Sequence, residues 1–233
     1  MTPERAAKIR QVLDTRQPDL TVLLDEVHKG RNLAAIVRSC DATGIGELHS
    51  VIPSEGYRPF KGTASGSHQW VNVVRHQTVE QAVARLHEKG FQLVAAHPSE
   101  HSVDYRQCDY TKPTALVMGA ELHGVSNTLL EKADMHVTVP MVGMVASLNV
   151  SVATAIILAE AQYQRAQAGM YDSCRIPSQQ WHTLFFKWAY PRFADYCERK
   201  NVEYPPLDEA GYINETPQWR EKLDTAVAAS AKG

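Results

Sequence analysis

The chain has 233 residues, of which 44% are hydrophobic, and its formal net charge is −2 at pH 7. This length and composition are typical of one large globular domain or of a domain with a helical extension. The charge excludes a general electrostatic attraction to nucleic acid. Charged residues begin at Glu4 and Arg5, where the apolar segment of a secretory signal would have to start, so we expect a cytoplasmic protein.

Neither the cysteines nor the histidines form a recognisable ligand motif. The four cysteines lie far apart in the sequence, at Cys40, Cys108, Cys174 and Cys197. None of the ten histidines falls in an HExxH or similar spacing. We therefore expect free thiols in a reducing compartment and no bound metal.

A first helix is predicted over residues 4–15, because apolar side chains recur there on one helical face behind Pro3. From Pro18 onward, short apolar strands alternate with helices. The predicted strands cover residues 20–24, 47–52, 71–74, 91–96, 115–118 and 136–139, and the helices between them cover residues 32–43, 79–89 and 127–132. This alternation is typical of an α/β fold with a mainly parallel sheet and flanking helices.

The carboxyl ends of the strands form the ligand-binding edge of such a sheet. We therefore place the candidate site in the loops at residues 96–99, 119–125 and 140–146. A further loop over residues 53–69 contains Arg58, Lys61 and His68. Its length is consistent either with a substrate-binding loop or with disorder.

The segment over residues 137–159 is uncharged, but Pro140 and Gly143 interrupt it, so it is too broken for a membrane span. Helical spacing of apolar residues resumes at Leu148. A strand, a bare loop and a buried helix are therefore predicted in succession. Such a junction exposes backbone N–H and C=O groups within an apolar wall, which suits a small ligand with polar and apolar parts.

The predicted helix over residues 32–43 carries basic residues on one face. Arg31, Ala35 and Arg38 fall near that face, and Asn32 occupies a plausible N-cap position. A guanidinium on an apolar helix needs water, a partner acid or a substrate anion such as phosphate. Taken alone, these residues favour a structural salt bridge and a helix cap.

Beyond residue 177 the chain is rich in aromatic residues, which indicate a helical extension. Aromatic side chains at this spacing more often pack against the main domain or a partner subunit than stack on RNA. Basic residues cluster towards both ends of the chain. From composition alone, a solvated helix face is favoured there over an RNA-binding surface.

Three segments together resemble the three motifs of the SpoU/TrmH family of SPOUT RNA methyltransferases. They are NLAAIVRSCDATG from Asn32, LVMGAELHGVS from Leu116 and VPMVGMVASLNVSVATAIILAEA from Val139, and their order and spacing match. Two further stretches, RQPDLTVLLDEVHK from Arg16 and AQYQRAQAGMY from Ala161, resemble the members that methylate the ribose of guanosine 18 in the tRNA D-loop. The similarity covers most of residues 1–171.

This resemblance implies a SPOUT fold with a deep C-terminal trefoil knot and with helical extensions at both ends. It implies a helical arm at residues 1–17, a methyltransferase domain at residues 18–168 and a helical extension at residues 169–233. The methyl donor would be S-adenosylmethionine, the substrate would be tRNA, and the protein would be a homodimer. No membrane or metal is implied.

The resemblance also implies roles for individual residues. Arg38 would be the principal catalytic residue, and the site around it would be shaped by Asn32, Glu121, Ser147 and Asn149. The cofactor would be held, largely through backbone groups, by Ala96, Gly119, Val139, Met141 and Leu148. RNA phosphates would contact Arg10, Arg16, Arg31, Arg165 and the loop over residues 53–69. The sequence departs from the family at Ala96, where a hydroxyl residue is common, and at Arg31, where histidine is common.

Three alternatives stay open at this point. A ribosomal RNA 2′-O-methyltransferase of the same family would share all three motifs. A noncatalytic RNA-binding protein could keep the same fold, although the presence of Asn32, Arg38, Glu121 and Asn149 argues against it. A small-molecule α/β enzyme has no motif in its favour, since GxGxxG and GxxxxGK[ST] do not occur.

Overall fold

The computed structural model describes residues 1–27, 29–52, 69–120, 123–208 and 210–230, with side chains up to residue 226. The chain divides into two compact units. The first, here called the sheet unit, spans Arg16–Ser173, and the second, the helical unit, combines Met1–Thr15 with Cys174–Gly233.

The sheet unit is built on seven strands in the order β3-β2-β1-β6-β4-β7-β5. The strands are β1 (Leu20–Asp25), β2 (Glu47–Val51), β3 (Asn72–His76), β4 (Gln92–Ala96), β5 (Val103–Asp104), β6 (Thr114–Met118) and β7 (Met135–Thr138). Every pair of neighbouring strands is parallel. The predicted parallel α/β sheet is therefore confirmed, although the two-residue edge strand β5 was not predicted.

Helices cover both faces of this sheet. They are α2 (Gly30–Ala42), α3 (Val79–Glu88), α4 (Asn127–Lys132) and α5 (Val150–Gln167). Alternate residues of β1 point to opposite faces, so Leu24 joins a core with Ile36 and Ile157, while Leu23 joins a second core with Leu86. The first core lies beneath α2 and α5, which pack against each other.

Local sequence signals account for both ends of α3, whereas the start of α5 differs from the predicted one. The Thr78 hydroxyl accepts a hydrogen bond from Gln81 N–H at the start of α3, and Gly90 follows its end with φ of +77°, as expected for a C-terminal glycine. Helix α5 begins at Val150 rather than at the predicted Leu148. The two extra loop residues lengthen the connection from β7.

The helical unit consists of α1 (Pro3–Asp14), α6 (Ser178–Ala189), α7 (Pro191–Arg199) and α8 (Pro217–Ser230). Aromatic packing holds it together, since Phe186 stacks on Tyr204 with ring centroids 4.6 Å apart and Phe185 is buried beside Trp181. The Trp181 indole N–H donates to Asp14 at 2.8 Å and joins α6 to α1. These aromatic side chains therefore pack within their own unit. Across the described ranges, no helix combines the length and apolarity that crossing a bilayer requires.

Candidate active site

Three predicted cofactor positions meet at one edge of the sheet. Ala96 is the last residue of β4, Gly119 directly follows β6, and Val139 directly follows β7. Because β4 lies between β6 and β7 and all three strands are parallel, their carboxyl ends point to the same side. Directly after β4, His97 N–H donates to the carbonyl of Val137 on β7 at 3.0 Å. The edge thus offers a ligand backbone groups from three neighbouring strands.

Gly119 occupies a position that admits no side chain. A Cβ built there would lie 2.0 Å from the Gly124 carbonyl carbon and 2.1 Å from the Val125 nitrogen. The chain returns on itself at this point, since Gly124 N–H donates to the Ala120 carbonyl at 2.9 Å. The loop after β6 therefore closes tightly over its own first residue, and glycine is required by close backbone approach.

The loop between β7 and α5 presents apolar side chains at the surface. Met141, Val142, Met144 and Val145 are all exposed, and Ser147 is exposed beside the half-buried Leu148. Exposed apolar residues in a row are unusual on a soluble surface and mark a ligand-binding or partner-binding segment. Because this loop follows β7, it starts at the same edge as Ala96 and Gly119.

Two predicted site residues from different motifs are hydrogen-bonded to each other. Asn149 Nδ2 donates to Asn32 Oδ1 at 3.2 Å, across 117 positions of sequence. Asn149 is also the N-cap of α5, and its Oδ1 accepts from Ser151 N–H at 2.9 Å and from the Ser151 hydroxyl at 2.7 Å. The prediction that Asn32 caps α2 is wrong, because Lys29 holds that position and Asn32 lies in the first turn, 8% exposed.

Helix α2 separates a buried face from a basic, exposed one. Ile36, Val37 and Cys40 are buried in the core, while Arg31, Ala35 and Arg38 are exposed. The predicted grouping of these three residues on one face is therefore observed. Arg38 and the buried Asn32 lie on the same helix, so α2 connects the exposed basic face to the hydrogen bond with Asn149.

The chain matches protein-family models over most of its length. Residues 19–159 match the model of the SpoU rRNA methylase family, and residues 163–216 match that of the SpoU rRNA methylase C-terminal region. The chain belongs to the SpoU methylase family. A tRNA (guanosine(18)-2′-O)-methyltransferase of Escherichia coli strain K12 is 43% identical over 228 residues, which cover 97% of this chain and 100% of that protein.

Solved structures of SpoU methylases agree with this assignment. The A. aeolicus TrmH/SpoU tRNA-modifying enzyme has a TM-score of 0.75 and 43% identity, and the match covers 81% of this chain and 96% of that one. The SpoU methyltransferase AviRb of Streptomyces viridochromogenes, solved in complex with the cofactor AdoMet, has a TM-score of 0.59 and 26% identity over 66% of this chain and 62% of that one. The resemblance stated from the sequence motifs is therefore confirmed.

Within this SpoU methylase, two of the four arginines predicted to bind RNA lie inside the fold. Arg165 is 0% exposed, and its guanidinium has five N–H donors. They bond to the carbonyls of Tyr110, Asp19 and Lys112 and to the side chains of Gln17 and Asp19, at 2.6 to 3.1 Å. The prediction of an RNA contact for Arg165 is corrected to a structural role at the centre of the sheet unit.

Arg16 is corrected for the same reason. It is 2% exposed, and its Nη2 donates to Asp41 Oδ1 at 2.7 Å and to the Trp70 carbonyl at 3.0 Å. Its Nη1 donates to the Ile45 carbonyl at 2.8 Å. These bonds tie the chain before β1 to the segments on either side of β2, so the guanidinium is not accessible to an RNA phosphate.

Some of the remaining predicted positions are exposed or half-buried, and the others lie outside the residues that the structure describes. Arg31 is exposed on α2 in the sheet unit, whereas Arg10 is half-buried in the helical unit with its guanidinium carbon 5.4 Å from the Phe185 ring centroid. Glu121 and the loop residues 53–68 lie outside the described residues. Among the residues that the structure does describe, no cluster of three or more histidine, cysteine, aspartate or glutamate side chains suits a metal ion.

Two buried polar groups of the sheet unit were missed by sequence reasoning. The first is Asp25, a buried carboxylate at the carboxyl end of β1. The second is a buried pair of histidines, with His49 Nδ1 2.8 Å from His76 Nε2 and His49 Nε2 3.3 Å from Glu47 Oε1. A charged residue closing an apolar strand was a usable signal for Asp25, whereas the histidine pair depends on the register of β2 against β3.

Proposed function

We propose that this SpoU methylase transfers a methyl group from S-adenosylmethionine to the ribose 2′-hydroxyl of guanosine 18 in tRNA. The observation that carries the proposal is the 43% identity to the E. coli enzyme of that name over nearly the whole of both chains. The site at the strand ends supports the cofactor part of the proposal, and the exposed basic face of α2 supports the RNA part.

The residues at the carboxyl edge fit S-adenosylmethionine. Its adenosine and methionine parts need backbone hydrogen-bonding groups and apolar contact, and the site offers both at Ala96, Gly119 and Val139 and along the exposed apolar loop at Met141 to Leu148. When bound, the cofactor supplies an electrophilic methyl group on a sulfonium. The absence of a side chain at Gly119 lets the backbone of Gly124 and Val125 pack against the end of β6 at this edge.

The acceptor side of the reaction would be handled by α2. Arg38 is exposed on the same face as Arg31, and its planar fork of donors suits bidentate binding of the phosphate 3′ to the target ribose. A guanidinium stays protonated in proteins, so it is a poor general base by itself. We therefore assign Arg38 to holding the phosphate and favouring the deprotonated hydroxyl, with that phosphate or a water accepting the proton.

Asn32 and Asn149 would fix the positions of the methyl-acceptor side and the methyl-donor side of the site relative to each other. Their hydrogen bond joins the first turn of α2 to the N-cap of α5. Arg38 lies further along α2, and the apolar loop ends at the N-cap of α5. Methyl transfer needs the attacking oxygen in line with the methyl group, so fixing these two elements is of direct value. Ser147 and Glu121 would complete the site.

The homodimer belongs to the same proposal. Helix α5 carries a stripe of exposed apolar residues at helical spacing, comprising Val152, Ala155, Ala159 and Tyr163. A surface stripe of this kind needs a partner, and a second copy of the chain is the partner that the family resemblance implies. The trefoil knot also stays a prediction, carried by the family assignment.

The deciding experiment is to incubate the protein with total tRNA and labelled S-adenosylmethionine and to map the 2′-O-methylated nucleotide. We expect methylation at guanosine 18. Methylation of ribosomal RNA alone would contradict the tRNA assignment, and absence of cofactor binding by calorimetry would indicate a noncatalytic RNA-binding protein.

The role of Arg38 is tested by Arg38→Lys, which keeps the charge but loses the fork of donors. Turnover should fall about 100-fold or more, while the affinities for cofactor and tRNA stay within a few-fold. Arg85→Lys on α3 is the matched control, because that side chain is also well exposed but lies outside the proposed site. Near wild-type turnover of Arg38→Lys with both ligands bound would contradict the assigned role.

A further inference from the structure

Asp25 links the end of β1 to the loop after β6. Its side chain is 3% exposed, and Oδ2 accepts a hydrogen bond from Ser126 N–H at 2.7 Å, across 101 positions of sequence. Strands β1 and β6 are neighbours, with Leu24 opposite Met118. Asp25 therefore stands at the same carboxyl edge as Gly119 on the adjacent strand β6, beyond which lie the proposed cofactor positions on β4 and β7.

The loop over residues 119–126 is held at two points. The first is its own closure, in which Gly119 lies against Gly124 and Val125. The second is the bond from Ser126 N–H to Asp25, which fixes the loop where it passes into α4. A carboxylate accepting from a buried backbone N–H is among the stronger hydrogen bonds in proteins. These two contacts place Gly124 and Val125 against Gly119, and Ser126 against the end of β1.

The turn that follows Asp25 is itself constrained. Glu26 has φ of +50°, in the left-handed region that residues other than glycine, asparagine and aspartate rarely adopt. Non-glycine residues in this region persist where the surroundings determine the backbone, and such residues cluster at ligand sites. Val27 is buried next to it. The chain thus reverses sharply after β1 while the Asp25 carboxylate stays directed at Ser126.

We propose that Asp25 is a positioning residue for S-adenosylmethionine, acting through Ser126 N–H to hold Gly124 and Val125 in place against Gly119. This inference rests on the proposed function, since it concerns the same cofactor. Asp25 does not need to touch the ligand. It reduces the free energy needed to order this backbone for binding. Its loss should therefore weaken the affinity for the cofactor more than it lowers the turnover rate of the cofactor-bound enzyme.

The same sheet offers a matched control for a purely structural carboxylate. Asp134 Oδ2 accepts from Leu93 N–H, also at 2.7 Å. Asp134 directly precedes β7 and Leu93 is the second residue of β4, so this bond lies towards the amino ends of the strands. Loss of the Asp134 bond should lower the stability of the sheet unit while leaving the cofactor edge unchanged.

Two substitutions remove the Asp25 bond from opposite sides. Asp25→Ala removes the acceptor, and Ser126→Pro removes the donor, since proline has no N–H and the Ser126 φ of −63° matches that of proline. Because the proline Cδ also takes the place of the hydrogen that faces Asp25 Oδ2, Ser126→Pro is compared with the double variant, in which that carboxylate is absent. Ser126→Ala keeps the N–H and is the control for the second. Asp25→Asn keeps an oxygen acceptor and is the conservative rescue for the first.

The measurements are the dissociation constant of S-adenosylmethionine by calorimetry, kcat and KM for methylation of tRNA, and the free energy of unfolding. Asp25→Ala and Ser126→Pro should each weaken cofactor binding about tenfold, the equivalent of one charged hydrogen bond, and raise the cofactor KM with kcat within about threefold. The double variant should be no worse than either single one. Asp25→Asn, Ser126→Ala and Asp134→Ala should bind the cofactor within about threefold of wild type.

The outcomes separate this inference from the proposed function. If the wild-type protein binds no S-adenosylmethionine, the proposed function fails. If it binds, and Asp25→Ala loses stability like Asp134→Ala while its cofactor affinity is unchanged, the proposed function stands and the positioning role of Asp25 is wrong. Additive effects in the double variant would also overturn it, because two substitutions that remove one bond cannot add.

Discussion

Asn149 donates a hydrogen bond to Asn32 through Nδ2 while its Oδ1 caps the first turn of α5. One side chain therefore uses both ends of its amide, with one end binding another helix and the other end binding its own helix. Asparagine is suited to this task, since serine and aspartate are also good caps but lack an amide donor. The bond makes the start of α5 dependent on the position of α2.

Substitution of Asn149 should separate these two contributions to stability. Asn149→Ser keeps a capping oxygen but removes a partner of the buried Asn32, so the free energy of unfolding should fall by about 1–2 kcal/mol. Asn149→Ala loses the cap as well and should cost about 1 kcal/mol more. Urea unfolding followed by circular dichroism measures both. Ser151→Ala serves as the control, and a serine variant as stable as wild type would show that the Asn32 bond contributes nothing.

Gly119 should tolerate no substitution. Gly119→Ala would place a methyl group about 2 Å from the backbone of Gly124 and Val125, so the loop after β6 must open. We expect a loss of more than about 3 kcal/mol of stability, or an insoluble protein. Gly143→Ala is the matched control, because a Cβ there has nothing within 4 Å, and it should change stability by less than about 0.5 kcal/mol. Equal effects of the two substitutions would contradict the close approach at Gly119.

Arg165 should behave as a structural residue. Arg165→Lys leaves a buried cation with three donors facing a set of acceptors that now receives five bonds, and it should cost about 3 kcal/mol in chemical denaturation. Arg31→Lys, on the exposed face of α2, should leave stability within about 0.5 kcal/mol. If Arg165→Lys were as stable as wild type and bound tRNA more weakly, the original prediction of an RNA contact would be restored.

The contrast between these arginines shows what the sequence could and could not predict. The strands other than β5, and helix α3, followed from local apolar spacing, and the site edge followed from the parallel topology that their alternation predicted. The burial of Arg165 could not, because the carbonyls that surround it come from Asp19, Tyr110 and Lys112, which only the fold brings together. The sequence alone does not distinguish a basic residue whose side chain is solvated from one whose side chain is buried.

The position of Asn32 was missed for a related reason. Asparagine before an apolar helical period predicts an N-cap, but its side chain is bonded to Asn149 and the helix begins two residues earlier, at Gly30. The Asn32 side chain therefore has a hydrogen-bond partner that is distant in sequence, where a local cap was predicted. Asn149 was predicted in the site through the family motif, yet its pairing with Asn32 depended on the packing of α5 against α2.

His49 on β2 and His76 on β3 form a buried pair of histidines. His76 is 6% exposed and His49 is 1% exposed, and their rings are stacked with centroids 5.1 Å apart. Burial, and after it the neighbouring His49 and Arg85, lower the pKa of His76 below its ordinary value of 6.5, while Glu47 acts in the opposite direction. The bond from His49, and then Lys89, hold the pKa of Glu47 below its ordinary value of 4.5.

The contribution of His76 to the free energy of unfolding should therefore fall as the pH decreases from 7.5 to 5.5. Below about 6.5 the unfolded chain takes up a proton at residue 76 before the folded chain does, so protonation favours unfolding by at most about 1.4 kcal/mol per pH unit. The contribution of Glu47 is retained above pH 4.5, so it leaves this window unaffected. Urea titrations should show a shallower pH slope for His76→Gln than for wild type, and an unchanged slope for the exposed His101→Gln. Equal slopes for wild type and His76→Gln would exclude His76 as the source of the acid sensitivity.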